Sequence, residues 1–221
     1  MNNRRYRVVK WRGKRLFDFF IASMSLCLLL PAIFIIIFII RLTMGKPAFF
    51  RQARPGAFGR PFTLYKFRTM TDERGHDGTV LVDRDRLTPI GKMLRSTSLD
   101  ELPELWNVIR GEMSLVGPRP LLFRYLPYFK EREMLRLHAL PGITGLAQVS
   151  GRNLIGWDER LELDARYVEK QSLRLDVSIL VRTLMSVLKR EGVSADVDLV
   201  ETWLDEERSE ESSNRIFSNL L

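Results

Sequence analysis

Two adjacent carboxylates, Asp100 and Glu101, are the residues of this sequence best suited to chemistry. They belong to Ser-Leu-Asp-Glu at 98–101, which matches a capping box at the start of a helix. On that pattern alone, the commoner role of such acids is to cap the helix and to complement its dipole. A helix N-terminus also offers free N–H groups to a phosphate, and its field favours the ionised form of Asp100.

Basic residues in short, turn-bounded motifs favour phosphate chemistry at this acidic pair. They are separated in the sequence rather than placed on one solvated helix face: Lys66, Arg68, Arg95, Arg119 and Arg152. Arginine can bind phosphate through two parallel hydrogen bonds. An aspartate can attack phosphorus as a covalent nucleophile when the charge of the attacked group is neutralised. Mg²⁺ held by one or two carboxylates and by substrate phosphates is the usual means, and Glu101 is adjacent to contribute.

The elements that must position these residues follow from hydrophobic periodicity. Alternation at 61–70 predicts a strand with Lys66 and Arg68 on one face. A helix is predicted to begin near Ile90. Another should follow the acidic pair, with apolar residues at helical spacing: Leu102, Leu105, Trp106 and Ile109.

Two turn motifs separate the further elements that the sequence predicts. Gly-Pro-Arg-Pro at 117–120 and Pro-Gly-Ile-Thr-Gly at 141–145 break regular structure. Residues 121–137 have a composition that suits an interfacial helix or an ordinary core helix. Later helices are predicted at 157–170 and 176–190, with these residues facing inward: Leu161, Ala165, Val168, Ile179, Leu180, Leu184, Val187 and Leu188.

An apolar segment at 19–40 predicts contact with a membrane. Its run of about 22 uncharged residues would reach roughly 33 Å as a straight helix, and no signal-peptidase site follows it. Pro31 interrupts the run, and basic residues flank both ends. We therefore expect a re-entrant helix-break-helix that turns at Pro31 and returns to the same face. At its start, Arg15 is expected to neutralise Asp18, three residues further on.

The net charge and the composition exclude some classes of function. The formal net charge of +8 implies an anionic partner. The basic-aromatic pattern of common nucleic-acid folds is absent, so we expect no nucleic acid. The lone Cys27 excludes an internal disulfide framework, and the sequence has neither a Cys/His metal spacing nor a Walker-type phosphate loop.

Composition predicts one domain with appendages. The predicted parts are a basic N-terminal segment (1–14), a re-entrant membrane helix (15–41), a catalytic domain (42–200) and an acidic, poorly ordered tail (201–221).

Together the motifs resemble those of the monotopic phosphoglycosyl transferases, the bacterial sugar transferases of the short, single-domain form. The resemblance covers 14–192. Besides the two turn motifs already given, it rests on Lys-Arg-Leu-Phe-Asp at 14–18, Tyr-Lys-Phe-Arg-Thr-Met at 65–70, Arg-Ser-Thr-Ser-Leu-Asp-Glu-Leu-Pro at 95–103 and Gly-Arg-Asn at 151–153. It implies an α-rich α+β fold. A re-entrant membrane helix and interfacial amphipathic helices would hold a compact catalytic domain on the cytoplasmic face of the bacterial inner membrane.

The resemblance also implies a reaction and a set of site residues. A sugar phosphate would pass from a UDP-sugar to undecaprenyl phosphate, through a covalent intermediate on Asp100, with release of UMP. Glu101, together with Asp100, would bind Mg²⁺. The substrate-binding residues would be Lys66, Arg68, Arg95, Arg119, Pro120, Arg152 and Asp164. One departure is Leu30, where many relatives carry Ser before the membrane proline, so the kink lacks a hydroxyl hydrogen bond.

Two other functions remain compatible with the sequence. One is a membrane-anchored nucleotide-sugar hydrolase, which lipid-independent turnover would reveal. The other is a non-enzymatic membrane protein whose basic surface binds anionic lipid. No motif identifies the sugar, the glycan pathway (capsule, O-antigen or glycoprotein) or the oligomeric state.

Overall fold

The structure is a computed structural model that describes residues 11, 13–75, 78–151, 155–189 and 203–209. Its helices are α1 (Lys14–Met44), α2 (Asp83–Arg86), α3 (Pro89–Ser96), α4 (Glu104–Arg110), α5 (Leu146–Ser150), α6 (Trp157–Lys170) and α7 (Leu173–Lys189). Its strands are β1 (Phe49–Pro55), β2 (Pro61–Phe67), β3 (Ser114–Val116) and β4 (Gly142–Thr144). The expected helix-rich fold with small sheets is confirmed in this part of the chain.

The start of α1 is tied to the globular part by charged side chains. Lys14 forms a buried ion pair of 2.7 Å with Asp176 and lies 3.8 Å from Asp18. Arg15 instead donates to two backbone carbonyls at the end of α4. The expected pairing of Arg15 with Asp18 is therefore wrong, because the last carbonyls of a helix need donors and Arg15 supplies them.

Helical backbone continues through Pro31, so the expected interruption of the helix at this residue is wrong, while the re-entrant path of the segment stays a prediction. Ala22 is buried in one hydrophobic cluster of the globular part, and Ile33, Ile36 and Ile40 are buried in a second one. Both halves of α1 therefore pack against the domain that follows it.

The remaining face of α1 is apolar and exposed. The helix is long and apolar enough to cross a membrane, and 11% of its most apolar window is buried. Its exposed large side chains are Leu16, Phe19, Phe20, Met24, Leu28, Leu30, Phe34, Ile35, Phe38 and Leu42. An apolar surface of this extent marks an interaction site for lipid or protein.

β1 and β2 form an antiparallel hairpin in which Phe50 is opposite Lys66. The strand predicted at 61–70 is confirmed as β2, but it ends at Phe67. Arg68 follows the strand, and its guanidinium contacts the segment after α1, so Lys66 and Arg68 do not act on a common face.

α3 packs against the end of this hairpin because Gly91 has no side chain. Thr88 caps the helix by accepting a hydrogen bond of 2.9 Å from the Gly91 N–H. A Cβ on Gly91 would lie 1.9 Å from the carbonyl oxygen of Thr69. One turn later, Arg95 donates to the Thr69 hydroxyl at 3.1 Å. The helix predicted to begin near Ile90 is thus confirmed, and its position is set by backbone contact.

β3 and β4 pair in parallel, and glycines let the adjoining loops approach closely. A Cβ on Gly117 would lie 2.2 Å from the carbonyl oxygen of Leu140, and one on Gly145 would lie 2.2 Å from that of Gly117. The motifs at 117–120 and 141–145 are therefore one packed unit. The prediction that 141–145 breaks regular structure is wrong, because β4 lies within it and pairs with β3.

α6 occupies the predicted range, and the three residues predicted to face inward from it are buried. In α7, Ile179 is fully buried, but Leu184 and Leu188 are 60% and 74% exposed. The prediction that these two leucines face the core is wrong. Ile179 belongs to the central hydrophobic cluster, whereas the second half of α7 extends past it and exposes an apolar stripe.

The single helix considered for 121–137 is replaced by two 3₁₀ turns, Phe123–Tyr128 and Glu133–His138. Pro127 lies inside the first turn, where it lacks the N–H that a continuous helix requires.

Residues 204–209 form a short helix that packs on these turns. Leu204 is fully buried, and Arg208 donates to both carboxylate oxygens of Glu133 at 2.7 Å and to Asp158 at 2.7 Å. The expectation of a poorly ordered tail is wrong for 203–209. Although the tail is acidic overall, burial of Leu204 and the ion pairs of Arg208 fix this part of it on the domain. The rest of the tail lies outside the described residues.

Candidate active site

The acidic pair lies in a 3₁₀ turn, Leu99–Glu101, that precedes α4. Ser98 has a left-handed conformation (φ 56°), and its side chain makes no capping hydrogen bond. The predicted capping box is therefore wrong, and Pro103 rather than Ser98 stands at the N-cap of α4. Asp100 and Glu101 lie in a tight turn instead of the first turn of an α-helix.

Glu101 is bound by two cations that come from distant parts of the sequence. Lys66 Nζ lies 2.6 Å from Glu101 Oε1, and Arg119 Nη2 lies 2.9 Å from the same oxygen. Burial alone would raise the pKa of Glu101, but Arg119 and Lys66 outweigh it and lower the pKa to about 2. The structure thus brings together three predicted site residues, and Glu101 is ionised at neutral pH.

Asp100 differs from its neighbour in how its carboxylate is contacted by the described residues. The side chain is 12% exposed, and its nearest cation, Lys66 Nζ, lies at 4.0 Å. Within the part of the chain that the structure describes, no group donates a hydrogen bond to this carboxylate. Burial raises the pKa of Asp100, against the lowering effect of Lys66. The position in the first turn of an α-helix, from which a helix field was expected to act on Asp100, is wrong.

Glu104 is a third acid at the site that we did not predict. Its side chain is 4% exposed, and its Oε1 lies 3.3 Å from Lys66 Nζ. Burial, followed by the nearby charge of Glu101, raises the pKa of Glu104 to about 8. The signal for it in the sequence is its position three residues after Glu101, at helical spacing.

The other predicted basic residues are distributed unequally. Arg95 contacts Thr69 and is near enough to lower the pKa of Asp100. Arg68 is not brought to the acidic pair, because its guanidinium donates to Met44, Lys46 and Met70 carbonyls and to Asp72. Arg152 lies outside the described residues.

Two further arginines donate hydrogen bonds to the backbone of the loop that carries Arg119. Arg136 Nη2 donates to the carbonyl of Arg119 at 2.7 Å, and Arg54 Nη1 donates to that of Pro120 at 3.3 Å. Arg136 is itself paired with Asp164 at 2.9 Å, and both side chains are 3% exposed. Asp164 thus reaches the site through Arg136, and its assignment to substrate binding stays a prediction. No local pattern indicates a role for Arg54 or Arg136, because their partners are distant in the sequence.

This arrangement can carry out chemistry on a phosphate group. A buried carboxylate that accepts no hydrogen bond from the described residues is next to cations that can stabilise the charge of an attacked phosphate. No cluster of three or more metal-ligating side chains occurs among the described residues. Asp100 and Glu101 are oxygen donors of the kind that Mg²⁺ prefers, and an ion held by one or two carboxylates would complete its shell with substrate phosphates and water; binding of Mg²⁺ by these residues stays a prediction.

Comparison with known proteins agrees with this chemistry. Residues 9–190 match the family described as bacterial sugar transferase. The chain is 52% identical over 180 residues to the uncharacterized sugar transferase EpsL of Bacillus subtilis, which covers 81% of this chain and 89% of that protein.

Longer proteins also match. A UDP-galactose-lipid carrier transferase of Erwinia amylovora is 42% identical over 196 residues, or 81% of this chain and 41% of its own length. A UDP-glucose:undecaprenyl-phosphate glucose-1-phosphate transferase of Klebsiella pneumoniae is 39% identical over 181 residues, or 77% of this chain and 39% of its own length. The chain thus spans most of the Bacillus protein and about two-fifths of the other two. By family match and by identity, the chain belongs to the bacterial sugar transferase family.

Proposed function

We propose that this protein transfers a sugar phosphate from a UDP-sugar to undecaprenyl phosphate and releases UMP. The Klebsiella relative is named for a reaction of this type with UDP-glucose. The observation that carries the proposal is the contrast at the acidic pair: Glu101 is bound by Lys66 and Arg119, whereas the buried carboxylate of Asp100 accepts no hydrogen bond from the described residues. A carboxylate in this state is available as a nucleophile.

In the first half-reaction, an Asp100 carboxylate oxygen attacks the phosphorus that bears the sugar. The bond from this phosphorus to the bridging oxygen of the nucleotide breaks, and UMP leaves with the electron pair. In the second, a phosphate oxygen of undecaprenyl phosphate attacks the same phosphorus. The bond to Asp100 then breaks, which regenerates the carboxylate and yields an undecaprenyl diphosphate sugar.

The cations next to Asp100 reduce the electrostatic repulsion between its carboxylate and the pyrophosphate of the substrate. Lys66, Arg95 and Arg119 bind and orient the phosphates, and removing one such contact often costs about 10²–10³-fold in rate. Glu101, with Asp100, would hold Mg²⁺, which when bound neutralises charge on the pyrophosphate. Glu101 also keeps Lys66 and Arg119 in place through its ion pairs.

We further propose that α1 is re-entrant and that the catalytic domain lies at the cytoplasmic face of the bacterial inner membrane. The exposed apolar face of α1 supports contact with lipid. Packing of both halves of α1 on the same domain supports return to the same face. The basic flanks favour the cytoplasm. Cysteines introduced at positions 10 and 46 should label from the same side, and labelling from opposite sides would make α1 a span.

The reaction is tested by incubating the purified protein with UDP-sugars, with and without undecaprenyl phosphate. We expect repeated turnover, seen as UMP release, only when the lipid is present, with the sugar phosphate recovered on the lipid. Equal turnover without lipid would identify a nucleotide-sugar hydrolase. Absence of UMP release under all conditions, with binding to anionic vesicles that salt abolishes, would identify a lipid-binding protein.

A further inference from the structure

Arg54, at the end of β1, is a partly buried arginine whose hydrogen bonds are incomplete. Its Nη1 donates to the Pro120 carbonyl at 3.3 Å, and its Nη2 donates to Gln52 Oε1 at 2.6 Å. Its Nε is buried, and no acceptor for it exists among the described residues. A buried donor without an acceptor is unfavourable in a folded protein, which makes this guanidinium a candidate ligand for a group that the chain does not supply.

The charge of Arg54 is also uncompensated. Three guanidiniums meet at the Pro118–Pro120 loop: Arg119 is paired with Glu101, and Arg136 is paired with Asp164. In the described part of the chain, no carboxylate lies within ion-pair distance of Arg54. Burial, followed by the nearby charge of Arg119, lowers the pKa of Arg54 to about 10. Arg54 and Arg119 are thus close enough for their like charges to interact, and of the two only Arg119 is paired with a carboxylate of the described residues.

A narrow cleft that is open to solvent lies between the turn of the β1–β2 hairpin and the loops at 118–120 and 136–141. Pro55 and Gly56, which directly follow Arg54, line one wall, and Arg119 and Arg136 line the other. Apart from the two arginines, its walls are proline, glycine and apolar residues. No acidic side chain of the described residues lines this cleft, so its charge favours an anion.

We propose that Arg54 and Arg119 form an anion subsite next to the Asp100–Glu101 pair and that it binds a phosphate group of a substrate. A phosphate oxygen would supply the acceptor that Arg54 lacks and would compensate the paired positive charges. The inference rests on the proposed function, because that function supplies two phosphates: the nucleoside phosphate of the UDP-sugar and the phosphate of the polyprenyl acceptor.

The test measures equilibrium binding of UDP and, separately, of undecaprenyl phosphate to the full chain in detergent. Neither compound alone is turned over, so binding is read without catalysis. Arg54→Gln removes the charge but keeps a donor for Pro120, and Arg54→Lys keeps the charge. Arg60→Gln removes one exposed charge from the turn of the same hairpin and serves as the matched control.

We expect Arg54→Gln to weaken binding of at least one compound about 10-fold or more, which is the loss typical of a charge-assisted phosphate contact. Arg54→Lys should weaken it less than about 3-fold, and Arg60→Gln should leave it unchanged. Loss confined to UDP assigns the subsite to the nucleotide, loss confined to undecaprenyl phosphate assigns it to the acceptor, and loss of both means that the two phosphates occupy it in turn.

Unchanged dissociation constants for both compounds in Arg54→Gln would overturn the inference. Equal weakening by Gln and Lys would also overturn it, because the loss of binding would then be independent of the charge at this position. If Arg54→Gln does not fold, protection of Arg54 from phenylglyoxal by either compound, located by peptide mass spectrometry on wild-type protein, decides the matter, and lack of protection refutes the subsite. Failure of the proposed function is a separate result, since it appears as wild-type protein that releases no UMP.

Discussion

Two clusters of charged side chains in this protein use the same residue types but differ in how completely they are paired. In the Arg208 cluster, formed by Arg208, Glu133 and Asp158, the guanidinium binds both oxygens of Glu133 and one of Asp158. In the Asp100 cluster, formed by Asp100, Glu101, Glu104, Lys66 and Arg119, the cations bind Glu101 most closely. Asp100 is left at 4.0 Å from Lys66 without a hydrogen bond from the described residues.

This difference separates a structural role from a chemical one. A charge cluster in which every buried group is bonded has little left to offer a substrate, and breaking it leaves an uncompensated charge. A cluster in which one buried acid lacks a hydrogen bond makes the folded state less stable, but that acid can react with a substrate. This combination is typical of active sites. The comparison predicts that the Asp100 cluster controls turnover and that the Arg208 cluster controls stability.

The largest expected effect is on turnover when Asp100 is changed. Asp100→Asn keeps the shape of the side chain but replaces the nucleophile with an amide, so UMP release and transfer should fall about 10⁴-fold or more. The matched control is Asp158→Asn in the Arg208 cluster, which should retain turnover. If Asp100→Asn keeps near wild-type rates, the distinction between the clusters fails.

The next effect concerns the cations of the Asp100 cluster. Arg119→Ala and Lys66→Ala should each lower kcat about 10²–10³-fold, because each removes a positive charge from a phosphate that gains charge during the reaction. Melting temperatures near that of the wild type would show that the fold is intact. Wild-type kcat in both variants would remove them from the site.

A smaller effect, on stability rather than rate, is expected for Arg208→Ala. The substitution leaves Glu133 buried without its cation, which should lower the free energy of unfolding by about 3 kcal/mol. Thermal or urea unfolding in detergent measures this loss. At a temperature where the variant is folded, KM should match that of the wild type. An unchanged unfolding transition would mean that residues 204–209 do not hold the domain together.

The last effect is a pH dependence of stability that comes from Glu104. Its pKa is raised from the usual 4.5 to about 8, so the folded state binds this proton more tightly than the unfolded state does. The stability of the wild type should therefore decrease as pH rises from about 4.5 to about 8 and then level off. Glu104→Gln removes this contribution, so the melting temperature of the wild type relative to the variant should decline over the same range. A constant difference between the two would contradict the raised pKa.

The sequence predicted those parts of the fold in which local signals agree with the final packing. The periodicity of α6 is of this kind, and so is the start of α3, which was predicted near Ile90 and occurs at Pro89. Local signals misled where tertiary packing decided the outcome. Ser98 matches a helix cap in sequence but takes a left-handed conformation. The acidic composition of the tail predicts disorder, but Leu204 and Arg208 are buried against the domain.

At the candidate site, too, the sequence predicted some residues, and tertiary contacts decided the others. Asp100, Glu101, Lys66 and Arg119 were predicted to act together, and the structure brings them together. Their relation was predictable because their residue types imply phosphate chemistry. Arg54 and Arg136 were missed, because their importance arises from contacts with Pro120 and Arg119 that no local pattern encodes. Glu104 was missed although it lies three residues after Glu101, because its importance arises from its contact with Lys66.

The most direct test of the account is the mass of the protein after incubation with a UDP-sugar and Mg²⁺ in the absence of any lipid acceptor. The account predicts a burst of UMP equal to the amount of enzyme and a gain of one sugar phosphate, located at Asp100 by peptide mass spectrometry and absent from Asp100→Asn. Addition of undecaprenyl phosphate should discharge the adduct. UMP release that requires the lipid, with no adduct at any time, would contradict the covalent role of Asp100 and favour direct attack by the acceptor.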